Sequence, residues 1–167
     1  SVSITNPNTE PCSIHYTLDG SEPNILSPGY TGEPIDILYS SVLKARALSM
    51  DILPSPITVS SYLFGVNHVT PILSVVTDNQ NLYGATGIFD NWWTDWEKTA
   101  YVEYFDSAQN LVFSQRAGIQ IDGGWGGARY LPQHSFRVEL DNGVLGDGPI
   151  DYQLIPGRPD RTKYSKL

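Results

Sequence analysis

The sequence has few of the features that point directly to a membrane or to a disulfide framework. Its 167 residues contain one cysteine, Cys12, so no disulfide can form within the chain. No run of 18 apolar residues occurs, and we therefore expect no membrane-spanning helix. No window places apolar side chains at every third or fourth position between helix caps, so we also expect no long helix.

Positive charge is scarce as well. The chain has 10 Lys and Arg residues against 18 Asp and Glu residues, which gives a formal net charge of -8. Proteins that bind phosphate backbones need a basic surface, so we expect no nucleic-acid partner. The chain opens in a strand-like segment without a signal peptide, which favours a piece of a longer protein.

The common catalytic and metal-binding motifs are missing. The three histidines lie far apart in the sequence and do not have the spacing of a helical zinc site: His15, His68 and His134. The polar segment 78–81 does not follow the calcium-loop pattern, so we interpret it as a turn. We predict no catalytic residue, no metal and no cofactor. A pair of carboxylates for glycoside cleavage stays open, because their separation is a spatial property.

What the sequence does contain favours β structure. It has 15 glycines and 12 prolines for turns, and alternating apolar and polar residues that predict strands. In the first part the predicted strands are 13–18, 42–47 and 57–62, with a short one at 35–37. Asp19 is predicted to cap the turn that it forms with Gly20, and Glu22 to fix the next loop. The spacing of these strands is typical of a small β-sandwich.

Several pieces of this first part resemble a known domain. They are the segment 16–23, Tyr30, the segment 43–47, Pro54-Ser55 and Tyr62. Together they resemble the chitobiase/hexosaminidase C-terminal type, a fibronectin-III-like accessory domain. The resemblance implies an appendage of bacterial surface or secreted proteins, without an active site of its own, over residues 1–64.

The second part, residues 65–167, is also rich in predicted strands. These are 70–77, 100–105, 111–116, 118–122, 136–140 and 150–155. The segment 70–77 is mostly apolar and is predicted to be a central strand buried on both faces. Residues 106–110 are predicted to form a hairpin turn. Residues 156–167 are predicted to be a basic tail without a partner in this chain.

This second part resembles the N-terminal region of the spore-coat protein H (CotH) kinase-like family. The pieces that carry the resemblance are 71–75, 77–78, 87–89, 102–106, 117–124 and 132–137. Two positions differ from the family pattern. His134 stands where a lysine is common. In the glycine-rich loop that begins at Gly123, Ala128 precedes Arg129 where the family usually has a serine. Family members linked to an activity resemble atypical protein kinases. The resemblance therefore implies an alternative, an ATP-binding fragment that lacks its catalytic lobe.

The aromatic residues supply the candidate binding site. Sugars present C–H faces that stack on Trp and Tyr, and hydroxyl groups that bond to polar side chains. The candidate ligand-binding residues are Trp92, Trp93, Trp96, Trp125, Arg129 and Tyr130. Two alternatives stay open: the rings pack in the core or at a domain interface, and the glycines serve tight turns or cradle a phosphate.

The sequence thus predicts an all-β fold, two consecutive β-sandwich-like units with little helix. The predicted function is a non-catalytic extracellular module for glycan attachment or scaffolding in a larger protein. Its predicted partners are a polysaccharide or cell-surface glycan and the other domains of the parent protein.

Overall fold

A computed structural model describes residues 1–7, 11–124 and 128–167 of the chain. The chain divides into two compact units. The first contains residues 1–74 and 105–111, and the second contains residues 75–104 and 112–167. The predicted boundary between residues 64 and 65 stays a prediction.

The described residues form short strands and very little helix. The elements are β1 (Ser13–Thr17), β2 (Ser41–Leu48), β3 (Thr58–Tyr62), β4 (Ile72–Val76), α1 (Asn79–Leu82), β5 (Lys98–Phe105), β6 (Leu111–Asp122), a 3-10 turn (Ala128–Tyr130), β7 (Ser135–Glu139), β8 (Ile150–Asp151) and β9 (Lys163–Tyr164). The predicted all-β fold class with little helix is confirmed. No helix in the described part of the chain is long and apolar enough to cross a bilayer.

The first unit is built on the antiparallel sheet β1-β2-β3. Ile14 pairs with Ala47 and Leu43 pairs with Ser60, so these side chains share one face of the sheet. Leu43 packs there with Ile35 and Ile37 in the core of this unit. The predicted strand at 35–37 is a single bridge between Val2 and Ile35.

The predicted Asp19 turn is confirmed. The Asp19 carboxylate accepts hydrogen bonds from the backbone N–H and the hydroxyl group of Ser21, at 3.0 and 2.6 Å. These two bonds to Ser21 lower the pKa of the Asp19 carboxyl. Gly20 has a φ of 81°, a conformation that glycine adopts at no steric cost.

The main sheet of the second unit has the order β4-β5-β6-β7. Side chains alternate across it, because successive residues of a strand point to opposite faces. One face is apolar and carries two packed clusters. The first contains Val102, Ala117, Val138, Leu140, Ile150 and Tyr164, and the second contains Ile88, Ala100, Ile119 and Ile121.

The position of β4 corrects one prediction. Residues 70–77 were expected to form a central strand, but β4 lies at the edge of its sheet. Leu73 and Val75 are 38% and 41% exposed. A continuous apolar run does not by itself distinguish a central strand from an edge strand, because it carries no information about pairing.

The C-terminal segment corrects a second prediction. Residues 156–167 were predicted to have no partner in the chain, but β9 pairs with β8 and Tyr164 is buried. The backbone N–H of Val138 donates to the carbonyl of Leu167 at 2.8 Å, and Leu167 donates back at 2.9 Å. Lys166 Nζ lies 3.0 Å from the Glu139 carboxylate. The segment therefore covers the outer edge of β7.

Candidate functional site

The loop that carries three of the tryptophans follows α1 and is folded tightly on itself. Asp78 caps α1 by accepting the N–H of Gln80 at 3.0 Å, which confirms the predicted turn chemistry there. Asn91 Nδ2 donates to the carbonyls of Gly84, Ala85 and Gly87 at 3.1, 3.3 and 2.8 Å. The two N–H donors of one amide are thus shared among three backbone carbonyls, and they hold the start of the loop.

Gly87 and Ile88 anchor this loop to the sheet. A Cβ atom on Gly87 would overlap the backbone of Leu82 and Tyr83, so only glycine fits that position. Ile88 is 1% exposed and packs with Ala100, Ile119 and Ile121 of the sheet. The loop therefore starts from a fixed base before it reaches the tryptophans.

Arg129 joins this loop to the end of β6 and is itself buried, at 6% exposed. Its Nε donates to the carbonyl of Gly123 at 3.1 Å, and Nη1 donates to the carbonyls of Trp92 and Thr94 at 3.3 and 3.0 Å. Its Nη2 bonds to Asp95 Oδ1 and to the carbonyl of Ile121, both at 3.0 Å. A guanidinium group has five N–H donors, and all five have an acceptor here.

On this base, seven aromatic side chains form a continuous string, which we call the aromatic string. Its members are Tyr83, Phe89, Trp92, Trp93, Tyr130, His134 and Phe136. At one end, Trp92 has Tyr130 at 4.8 Å and Trp93 at 5.7 Å between ring centroids. His134 lies 6.3 Å from Trp92 and 5.4 Å from Phe89 and joins the two ends.

Four rings of the aromatic string are largely open to solvent. Tyr83 is 50% exposed, Trp93 49%, Tyr130 55% and Phe136 42%. Trp92 and Phe89 instead pack against the core cluster around Ile88. The sheet core thus supports two inner rings, and these support the outer, exposed rings.

The structure brings together three of the predicted site residues, Trp92, Trp93 and Tyr130, and Arg129 bonds to the backbone carbonyl of Trp92. Trp96 has a different surrounding: it is 40% exposed, and Lys98 Nζ lies 5.5 Å from its ring centroid. Trp96 lines a cleft of about 210 Å³ with Thr86, Glu97 and Lys98. The prediction for Trp125 falls outside the described residues.

Two residues at this site were not among the predicted ligand-binding residues. Asp95 presents a carboxylate whose side chain is 88% exposed, while Oδ1 is held by Arg129. Its position among three tryptophans was a signal that could have identified it. His134 lies between the rings of Phe89 and Trp92, and its Nδ1 is buried without a hydrogen-bond partner among the described residues.

The opposite, polar face of the sheet holds the other arginine near the glycine loop. Arg137 Nε lies 3.1 Å from Glu139 Oε1, and its Nη1 lies 3.7 Å from Asp122 Oδ1. Arg137 also pairs with Gln120 across the strands. No group of three or more His, Cys, Asp or Glu side chains forms a metal-ligand set within residues 1–7, 11–124 and 128–167.

Comparisons with known proteins bear on the first unit. No curated protein and no solved structure matches the chain. The resemblance of residues 65–167 to the CotH kinase-like family stays a prediction. Residues 1–60 match the family model of the chitobiase/beta-hexosaminidase C-terminal domain, an accessory module of carbohydrate-active enzymes.

Proposed function

We propose that this protein is a non-catalytic accessory module that binds carbohydrate through the aromatic string. The observation that carries the proposal is the set of exposed rings around Trp92, next to a carboxylate that a buried arginine holds in place. The match of residues 1–60 to an accessory module of carbohydrate-active enzymes supports it from a separate part of the chain.

The chemistry of the string suits a sugar better than a purely apolar ligand. The rings of Trp93 and Tyr130 offer stacking surfaces for pyranose C–H groups, and Trp92 contacts both rings. Asp95 follows Trp93 by two residues and has an exposed carboxylate, which can accept hydrogen bonds from sugar hydroxyl groups. A mixed aromatic and polar surface of this kind matches the two-sided character of a sugar ring.

The predicted site residues take different roles in this proposal. Trp92, Trp93 and Tyr130 contact the glycan or support the rings that do. Arg129 is a positioning residue, because its five N–H donors are already bonded within the chain. Trp96 belongs to the neighbouring cleft, which offers a second point of contact.

The setting that we propose is extracellular or at the cell surface, as part of a larger protein. An accessory module brings its parent protein to a polysaccharide or a cell-surface glycan, and its effect therefore depends on the other domains. The family that matches residues 1–60 supports this setting, since accessory domains of glycosidases are typically extracellular.

The alternative is the ATP-binding fragment implied by the resemblance to the CotH family. A phosphate site needs free backbone N–H groups together with an available Lys or Arg. Arg129 is fully bonded, and Arg137 is paired with Asp122 and Glu139. These contacts favour the carbohydrate proposal over the nucleotide proposal.

The decisive experiment is a glycan array followed by calorimetric titration of the best ligand. Trp93→Ala and Tyr130→Ala should each weaken binding about tenfold, which corresponds to about 1.4 kcal/mol. Tyr39→Ala is the matched control, because Tyr39 is 69% exposed and belongs to the other unit. If both site variants bind with wild-type affinity and have unchanged melting temperatures, the proposal is wrong.

A second arm addresses the ATP alternative. At about 100-fold excess over Kd, a ligand stabilises the folded protein by about 2.7 kcal/mol. A rise in melting temperature with ATP and Mg²⁺, and none with any glycan, would favour the nucleotide-binding fragment instead.

A further inference from the structure

The exposed rings of the aromatic string do not lie in one plane. Trp93 stands at 85° to Trp92, whereas Tyr130 is inclined at 59° to the same ring. Two rings that make such different angles with a third cannot be coplanar with each other. At the other end, Tyr83 is within 10° of the plane of Phe89 and Phe136 is at 90° to it, so Tyr83 and Phe136 are nearly perpendicular.

The base beneath the rings resists a change to a flat arrangement. Arg129 fixes the backbone at Trp92 and Thr94, and it directly precedes Tyr130 in the 3-10 turn. Asn91 holds the loop before Trp92. Flattening the surface would separate Trp92 from its edge-on contact with Trp93 and from the core cluster that supports it.

These ring angles bear on which physical form of a polysaccharide can stack on several rings at once. A crystalline face presents its sugars in one plane, so it can stack on several rings at once only if those rings are coplanar. A free chain rotates about its glycosidic bonds and can turn successive sugars towards rings of different orientation. Because binding must offset the lost freedom of both partners, a single stacked ring is a weak anchor.

Asp95 gives an independent argument in the same direction. Its exposed carboxylate is bonded to Arg129, the residue before Tyr130, and can accept bonds from hydroxyl groups at the edge of a sugar. In a crystal, hydroxyl groups at the chain edges already bond to neighbouring chains, whereas in a free chain they are open to solvent.

From these observations we infer that the aromatic string binds a single, soluble glycan chain or a flexible chain segment, and not the flat face of a crystalline polysaccharide. This inference rests on the proposed carbohydrate-binding function and names the form of its ligand. Successive sugars contact Trp93 and Tyr130 from different directions, while Asp95 bonds to an edge hydroxyl group.

The test compares two physical forms of the same polymers. Cellohexaose and chitohexaose are titrated in solution, and microcrystalline cellulose and crystalline chitin are used in sedimentation assays. We expect at least one hexasaccharide to bind the wild-type protein. On the crystalline form of the same polymer, the wild-type protein should be retained no more than the Tyr130→Ala variant. Trp93→Ala and Tyr130→Ala should each lower the hexasaccharide affinity about tenfold, and Tyr39→Ala should not.

The outcomes separate this inference from the proposed function. Retention on a crystalline polymer that is lost in Tyr130→Ala, without hexasaccharide binding, overturns the inference and leaves the proposed function standing. Equal binding to both forms also overturns the inference. An absence of binding to both forms, and to every glycan of the array, overturns the proposed function and the inference with it.

Discussion

Arg129 joins the loop that carries Trp92, Trp93 and Trp96 to the end of β6. Its guanidinium donates to four backbone carbonyls and one carboxylate. A lysine keeps the charge but lacks the planar fork of donors, so Arg129→Lys leaves buried carbonyls without a partner.

We expect Arg129→Lys to lower the free energy of unfolding by about 2–4 kcal/mol, measured by urea denaturation. Arg158→Lys is the matched control, because Arg158 forms an exposed ion pair with Asp160 and should cost less than about 1 kcal/mol. An equal loss in the two variants would contradict the role assigned to Arg129.

Gly118 is a second residue whose identity has a specific cause. A Cβ atom there would overlap the carboxylate of Glu97, which accepts a hydrogen bond from Asn142 Nδ2 at 2.7 Å. Gly118→Ala must therefore displace Glu97, and we expect a loss of about 1–3 kcal/mol in the free energy of unfolding.

The nearest obstacle is the end of the Glu97 side chain, and Asn142 Nδ2 lies 2.9 Å from the added Cβ atom, so a second substitution at Glu97 should relieve most of the clash. In a double-mutant cycle, Gly118→Ala should cost less than about 1 kcal/mol when Glu97 is already alanine. Gly157→Ala is the control, because nothing lies within 4 Å of its added Cβ atom. Additive losses in the double mutant would show that the clash lies elsewhere.

At the scale of elements, the hairpin between β5 and β6 depends on one carboxylate. Asp106 accepts the backbone N–H groups of Ala108 and Asn110 at 2.9 and 2.8 Å. The bonds from Asn110 are the main reason why the pKa of Asp106 lies below its ordinary value of 3.8. The predicted turn at 106–110 is thereby confirmed.

This lowered pKa gives the stability a definite pH dependence. The contribution of a carboxyl group whose pKa is lowered by folding is complete above its unfolded pKa and is lost as the pH falls through the folded value. We expect the wild type to melt at a higher temperature than Asp106→Asn at pH 7. The gap should close in the acid range, below the ordinary value of 3.8. A gap that does not change with pH would contradict the assignment.

The strands also show which parts of the fold could be predicted from the sequence. Strands with clear alternation, such as β2 and β5, were predicted within two residues of their bounds. The pairing of β9 was not predicted, because a strand of two residues is too short to show an alternation of apolar and polar residues. The apolar run of β4 gave the right element and the wrong position in the sheet.

The candidate site was predictable by residue type and less so by role. The clustered tryptophans and Tyr130 indicated an aromatic surface, and three of those rings do come together. The five bonds of Arg129 involve residues up to 37 positions away in the sequence, and local pattern contains no information about such contacts. The same holds for His134, which meets Trp92 only through the fold.

At the scale of the whole molecule, the net charge of -8 restricts the kind of glycan that the proposed function allows. A polyanionic glycan would be repelled by the excess of acidic residues over the whole protein. Under the proposed function we therefore expect a neutral glycan, held by stacking and by hydrogen bonds to hydroxyl groups.

Stacking on aromatic rings and bonds to neutral hydroxyl groups involve no pairing of opposite charges, so added salt should have little effect on binding. For the hexasaccharide that binds, we expect the Kd to change less than about twofold between about 0.05 and 0.5 M NaCl, measured by calorimetry. Polygalacturonate, a polyanion, should show no binding at either concentration. A steep loss of affinity with salt, or tight binding of polygalacturonate, would contradict recognition of a neutral glycan, because only the attraction of opposite charges is screened in this way.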